Sequence, residues 1–291
     1  MQLIWNILLS LRPRQWTKNF FVFPGLLFSK NLFQPDLLLT SLAAFFIFCF
    51  LSGSVYLFND LIDRKEDQRH PEKAKRPIAA GTLRIGSAKV AMILIASASL
   101  GASLLINVRF AGLVLGYLLV QIAYSLSLKK IVLLDVFVIA SGFFFRVFAG
   151  AEAIRVPISS WLLLCALFLS LFLALGKRRN EMEVLGKGAG RSRPVLTKYN
   201  LGLVDQMMSV ATTGTVLSYS LYTLAPETVE KFQSRNLWLT IPVVLYGIFR
   251  YLFLVYQRGA GGSPENILLM DAPLILSIIL YLLVVVYILY L

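Results

Sequence analysis

An asparagine and three aspartates follow an apolar stretch directly in Asn59-Asp60-Leu61-Ile62-Asp63-Arg64-Lys65-Glu66-Asp67. If the helix of that stretch continues, Asn59, Asp63 and Asp67 fall at i, i+4 and i+8 on one face, with Asp60 beside them. Like charges at that spacing repel, and a carboxylate in hydrocarbon costs roughly 2.5–3.5 kcal/mol, so a neutralising cation is the natural resolution. Mg²⁺ suits such a set, because it takes hard oxygen ligands and uses one or two carboxylates together with the phosphates of a ligand. The expected metal ligands are therefore Asn59, Asp60, Asp63 and Asp67, the three aspartates being candidate catalytic groups as well. The alternative is a solvated helix end whose acids pair with Arg64, Lys65 and Arg69.

The segment that follows, His70 to Gly81, is basic and carries Pro71 and Pro77. Cations beside a metal-carboxylate cluster are what a diphosphate needs, and Arg76 offers a planar fork matched to phosphate oxygens. His70 is the sole histidine; between Arg69 and Pro71 it reads as a turn residue before it reads as a base. A second polar cluster holds Tyr124, Ser125, Lys129 and Lys130, and continues into the next apolar run with Asp135 and Arg146. Asp135 and Arg146 are 11 residues apart, close to three helical turns, and so share a face. Ionisable residues inside a membrane point to function, the other reading being a structural Asp135–Arg146 pair that ties helices together. A third basic group, Lys177-Arg178-Arg179-Asn180-Glu181, closes a later apolar run; taken alone it is weak, since basic residues end many spans.

The elements that must position these groups follow from composition. Of 291 residues 58% are hydrophobic and 15% charged, and the mean hydropathy is +0.75, well outside the range of soluble domains. An all-α polytopic membrane protein is the expected class, because only helices or closed barrels satisfy the backbone in lipid. Apolar runs place nine transmembrane helices near 18–34, 37–58, 88–107, 109–127, 132–153, 157–176, 206–224, 236–256 and 269–291. The first is the weakest, being short and interrupted by Lys18, Asn19 and Pro24. Residues 1–11 are too mixed for a signal peptide and fit an amphipathic helix lying at the interface.

With the N-terminus in the cytoplasm, 21 Lys and Arg fall on the inner side and five on the outer, which supports that orientation. Residues 1–291 then form a single transmembrane domain whose long polar loops, near 59–88 and 177–206, face the cytoplasm, and function is sought there. The net charge of +13 would suggest nucleic acid in a soluble chain. In a membrane it fits anionic lipid or phosphorylated ligands instead, so no nucleic-acid partner is expected. Cys49 and Cys165 sit inside apolar runs and read as packing residues.

Together these clusters resemble the UbiA prenyltransferase superfamily. Asn59-Asp60-x-x-Asp63-x-x-x-Asp67 matches its first aspartate-rich motif at every position, and Arg76-Pro77-Ile78 falls where that family carries Arg-Pro. Within the superfamily four segments look most like the decaprenyl-phosphate phosphoribosyltransferase branch: Arg12 to Asn19, Arg76 to Gly81, Tyr124-Ser125-x-x-Leu128-Lys129, and Leu175 to Glu181. The resemblance implies a UbiA-like bundle of about nine helices. It also implies Mg²⁺-dependent transfer of 5-phosphoribose from phosphoribosyl diphosphate to a polyprenyl phosphate, with release of diphosphate. One departure is that Asp135 is followed by Ile139, where aromatic prenyltransferases of the superfamily carry a second aspartate. That argues against an ordinary prenyl-diphosphate donor.

On this reading Asp60, Asp63 and Asp67 act with the metal, and Asp135 assists. Lys18, Asn59, Arg76, Tyr124, Lys129, Arg146, Lys177 and Arg178 bind substrate, with the last four groups of charge shared between the donor's 5-phosphate and the lipid phosphate. The runner-up is a UbiA-type prenyltransferase that moves a prenyl group from its diphosphate to an aromatic or other small acceptor. A transporter is the reading from a different class. It is disfavoured because the charges gather at one membrane face and no broken spans occur in matching halves.

Overall fold

The computed structural model describes residues 2–69, 73–185, 194–259, 267 and 270–291, and those residues form helices joined by short connections. The helices are α1 (Gln2–Ser10), α2 (Pro24–Leu27), α3 (Pro35–Ile62), α4 (Arg64–Asp67), α5 (Ile85–Ile106), α6 (Val108–Leu126) and α7 (Leu134–Ala153). There follow α8 (Ser160–Leu185), α9 (Leu201–Leu224), α10 (Pro226–Phe232), α11 (Ile241–Arg258) and α12 (Ala272–Tyr290). Short 3₁₀ segments precede α2, α5, α7, α9 and α11.

Seven helical segments among the described residues are long and apolar enough to cross a membrane: α3, α5, α6, α7, α8, Asn236–Arg258 with α11 at its core, and α12. The expected nine therefore splits into these seven and two exceptions. Residues 18–34 do not form one continuous helix; the chain runs as a 3₁₀ helix over Pro13–Val22, then as the single turn α2. Proline at the start of both pieces, and again at the first turn of α3, resets the backbone each time. Helix α9 has the length, 24 residues, but its threonines, serines and Gln206 lower its apolarity.

Helices α3 and α7 are the inner pair: 56% and 61% of their most apolar windows are buried, against 11% for α5, which faces outward. What lets α7 sit inside is its run of small residues. An added Cβ on Gly150 would lie 1.9 Å from the Val22 carbonyl oxygen, and one on Gly25 would lie 2.9 Å from the Ala151 Cα. The N-terminal segment thus lies backbone against backbone on α7, which carries Lys18 and Asn19 into the bundle. Leu11 continues the anchoring by packing with Leu57, Ile78, Leu83 and Ala88.

Helix α1 turns an apolar face outward. Leu3, Ile4, Trp5, Leu8 and Leu9 are exposed, while Asn6 is buried and donates to the Thr82 carbonyl at 2.9 Å. Cys49 and Cys165 are both buried and unbridged.

Candidate active site

A cavity of about 280 Å³ opens among α3, α6, α7, α8 and the Pro13–Val22 segment. Its wall contains Asn59, Asp63 and Asp67 together with Lys18, Arg76, Tyr124, Lys129, Arg146 and Lys177, so nine of the twelve residues singled out by sequence converge there. The other three, Asp60, Asp135 and Arg178, lie behind the wall and are almost wholly buried.

The aspartate motif keeps its helical register across a break. Helix α3 ends at Ile62, Asp63 turns the chain, and α4 begins at Arg64. The Asp63 N–H still donates to the Asn59 carbonyl and the Asp67 N–H to the Asp63 carbonyl, both at 2.8 Å. That i to i+4 continuity leaves Asn59, Asp63 and Asp67 in line on the cavity wall. Asp60 points elsewhere: its Oδ1 accepts from Arg12 Nη2 at 2.5 Å and from Arg76 Nη1 at 3.1 Å. The same Arg76 nitrogen donates to Asp67 Oδ2 at 2.7 Å, so a single guanidinium joins two carboxylates of the motif. Arg12 is held in a left-handed conformation, φ 52°, with its guanidinium 4.7 Å above the centre of the Tyr56 ring.

Lys129 sits on the 3₁₀ turn Leu128–Lys130 between α6 and α7, and its Nζ donates to Asp63 Oδ1 at 2.7 Å. Just beyond, Leu133 adopts φ 68°, and its N–H donates to the Tyr199 hydroxyl at 2.7 Å. Tyr199 in turn donates to Asp135 Oδ1 at 2.7 Å. Burial, with the added effect of the Asp135 carboxylate, pushes the Tyr199 phenol up to about 12, so it keeps its proton and acts as a donor.

Asp135 does not pair with Arg146, and it does not reach the cavity. Three helical turns put the two on one face but roughly 16 Å apart along the axis. Asp135 takes Arg178 instead, Nε to Oδ2 at 2.8 Å, and Arg178 also donates to Glu181 at 2.5 Å and to the Tyr124 hydroxyl at 3.3 Å. Asp135, expected to assist a metal, and Arg178, expected to meet a phosphate, are thus brought together as a buried pair, and Arg178 in turn holds Tyr124 and Glu181, which do line the cavity. Arg146 is held separately, by Asn19 Oδ1 at 2.6 Å, the Gly142 carbonyl at 2.7 Å and the Tyr117 hydroxyl at 2.9 Å.

Four contributors escaped sequence reasoning as individual residues. Arg12 and Glu181 lie on the wall, while Asn19 and Tyr199 brace Arg146 and Asp135. Arg12, Asn19 and Glu181 fall inside segments that carried the resemblance, so a signal existed for them; Tyr199 had none. His70, Pro71 and Glu72 lie outside the described residues.

No group of three His, Cys, Asp or Glu side chains among the described residues converges as a complete metal cage. The donors nevertheless fit Mg²⁺. Asp63 and Asp67 offer carboxylate oxygens and Asn59 an amide oxygen, in line along the wall of a cavity that has room for ligand phosphates to complete the shell. Asp63 and Asp67 also already hold cationic partners, Lys129 and Arg76, as carboxylates at a cation site would.

The model for the UbiA prenyltransferase family matches residues 19–270. The decaprenyl-phosphate phosphoribosyltransferase of Mycolicibacterium smegmatis is 31% identical over 282 residues, covering 94% of this chain and 88% of the relative. That of Corynebacterium glutamicum is 32% identical over 271 residues, covering 91% and 81%. Among solved structures, a UbiA homolog from Archaeoglobus fulgidus bound to GPP and Mg²⁺ superposes with a TM-score of 0.73, covering 98% of this chain and 100% of the other. At 20% identity that likeness speaks for the fold.

Proposed function

The chain belongs to the UbiA prenyltransferase family, and from that premise we propose that it transfers 5-phosphoribose from phosphoribosyl diphosphate to a decaprenyl-type polyprenyl phosphate. The observation that carries the reading is charge. The cavity wall holds seven Lys and Arg (Arg12, Lys18, Lys73, Arg76, Lys129, Arg146 and Lys177) against Asp63, Asp67 and Glu181. A prenyl diphosphate and a neutral acceptor bring one diphosphate to such a site; a phosphoribosyl donor and a lipid phosphate bring three phosphate-bearing groups.

Asn59, Asp63 and Asp67 would hold Mg²⁺ against the donor diphosphate, where the metal supplies charge neutralisation of the leaving group. Arg76, released by Asp67, and Lys129, released by Asp63, would turn to diphosphate oxygens. Asp60 keeps Arg12 and Arg76 beside the motif. The polyprenyl phosphate oxygen attacks the anomeric carbon as its bond to the diphosphate oxygen breaks, and the electron pair leaves with diphosphate. An anionic phosphate needs no strong general base, so no His or Cys is required.

Phe21, Val55, Ile139, Phe143, Leu173 and Ala174 supply the apolar side of the wall, along which the first isoprene units of the lipid would lie. The same apolar side favours the second reading, transfer of a prenyl group to a small acceptor. The protein is a multi-pass membrane protein, and the basic bias of the polar loops supports a site that faces the cytoplasm.

The deciding experiment is diphosphate release by purified protein with Mg²⁺. Phosphoribosyl diphosphate plus polyprenyl phosphate is compared with prenyl diphosphate plus a panel of aromatic acceptors. Release with the first pair, together with a phosphoribosylated lipid, is the expected result; release only with the second pair rejects the phosphoribosyl reading.

A further inference from the structure

Arg146 is a positive charge 5% exposed, on the cavity wall, with no carboxylate in ion-pair contact among the described residues. It is the thirteenth residue of α7, so it lies about 18 Å along the axis from the start of that helix, past the middle of a hydrocarbon core about 30 Å thick. A buried charge at that depth calls for a counter-charge. Its three partners here are neutral: the Asn19 amide oxygen, the Gly142 carbonyl and the Tyr117 hydroxyl. They fix the plane of the guanidinium and leave its net charge unanswered.

The partners themselves are braced for this. Asn19 is fully buried and donates its own amide N–H to Cys49 Sγ at 3.2 Å, which turns its oxygen toward Arg146. Tyr117 and Phe143 flank the guanidinium with ring centres at 4.9 and 5.5 Å. A guanidinium carries five N–H donors, and three of them are used. Gly142 keeps the space beside Arg146 open: a Cβ there would come within 3.1 Å of Gln121 Nε2 and 3.3 Å of Arg146 Nη1. The Gln121 amide and the Arg146 guanidinium therefore approach the same point. Tyr117, Gln121 and Tyr124, spaced four and three apart on α6, continue as a polar stripe on the cavity wall. A hydrocarbon tail gains nothing from such a wall, whereas a sugar phosphate does.

We propose that the buried end of the cavity is a phosphomonoester subsite, in which Arg146 and Gln121 bind the 5-phosphate of the donor, apart from the diphosphate site at Asn59, Asp63 and Asp67. The assignment to a ribose phosphate rests on the function proposed above; the subsite itself rests on the unanswered charge. The phosphate of the lipid has the same chemistry and is the other source to be distinguished.

The test uses the full chain purified in detergent, with binding read by thermal shift for three probes: ribose 5-phosphate, farnesyl phosphate and Mg²⁺-diphosphate. The expected result is that Arg146→Gln weakens ribose 5-phosphate by about 10- to 100-fold, the range for a lost charge-assisted hydrogen bond, and leaves the other two unchanged. Arg146→Lys should recover part of the loss. Loss confined to farnesyl phosphate overturns the donor assignment, and unchanged ribose 5-phosphate affinity, or equal loss for all three probes, overturns the subsite. If Arg146→Gln fails to fold, Arg146→Lys and Gln121→Leu carry the same comparison. Should Arg146-dependent ribose 5-phosphate binding persist in a protein that releases no diphosphate from phosphoribosyl diphosphate, the subsite stands and the proposed function falls.

Discussion

Asp135 and Arg178, 43 residues apart in the chain, meet as an ion pair at 2.8 Å with side-chain exposures of 0% and 1%. The pair joins the start of α7 to the end of α8, and Tyr199 extends it to the segment before α9. Breaking a buried pair by removing one partner costs about 3–5 kcal/mol, because the other charge is stranded, whereas replacing both by apolar groups is often close to neutral. Arg178→Met alone should therefore lower the melting temperature more than Asp135→Leu/Arg178→Met together. Thermal unfolding in detergent orders the two variants. A double variant that melts at or below the single would mean that Asp135 is stabilised by partners other than Arg178.

The inner position of α7 depends on Gly150, where an added Cβ would meet a backbone oxygen that has no rotamer to change. Overpacking of this kind typically costs about 1–3 kcal/mol, and here the Pro13–Val22 segment that carries Lys18 and Asn19 must shift. Gly150→Ala should lower the melting temperature by several degrees and reduce turnover. Gly101→Ala is the control: nothing lies within 4 Å of the added carbon, and alanine is the better helix former. Equal effects of the two substitutions would show that the close approach is not what positions the segment.

How far the sequence foretells this arrangement depends on the range of each contact. The line Asn59, Asp63, Asp67 is local, set by an i to i+4 spacing that survives the break at Asp63, and it is readable from the spacing alone. Lys129 is readable as a cation at a helix end. Its meeting with Asp63, 66 residues away, is a product of how α3, α6 and α7 pack. The reading of residues 18–34 as one continuous helix fails because hydrophobicity averages over Pro24, where the chain passes from the 3₁₀ helix Pro13–Val22 to the single turn α2, with Asn19 set against Arg146. The Asp135–Arg146 reading fails for a related reason: a shared face is a statement of angle, and three turns of axial rise separate the charges.

Arg250 and Asp271 fasten α11 to α12 by two hydrogen bonds, at 3.0 and 2.8 Å, and Asp271 also caps α12 by accepting from the Leu274 N–H at 3.0 Å. The hydrogen bond from Arg250 holds the Asp271 carboxyl below its usual 3.8. A depressed carboxylate pKa contributes stability that is complete above the unfolded value and is lost as pH falls through the folded one. Arg250→Gln should therefore melt below the wild type at neutral pH, and the two curves should converge as pH drops below 3.8. A gap that persists in acid would assign the effect to packing of the arginine stem.

A Mg²⁺ ion held by Asp63 would compete with Lys129 for that carboxylate. With its ammonium 2.7 Å from Asp63 Oδ1, Lys129 neutralises a donor that Mg²⁺ would use, and it is placed to move to a phosphate oxygen once diphosphate arrives. Lys129→Met removes both roles. Mg²⁺ should then bind more tightly to the protein without substrate, because Asp63 has lost its competing cation. The KM for the diphosphate donor should rise by about 10- to 100-fold, the range expected for one lost charge-assisted hydrogen bond. Asp63→Asn should do the opposite to the metal, weakening it and abolishing diphosphate release while the protein still folds. Metal binding followed by calorimetry, beside steady-state kinetics, separates the cases. If Lys129→Met leaves metal affinity and KM as they were, the lysine is a clip between the α6–α7 turn and α3, and the cations that meet the diphosphate are to be sought among Arg76, Lys73 and Lys177.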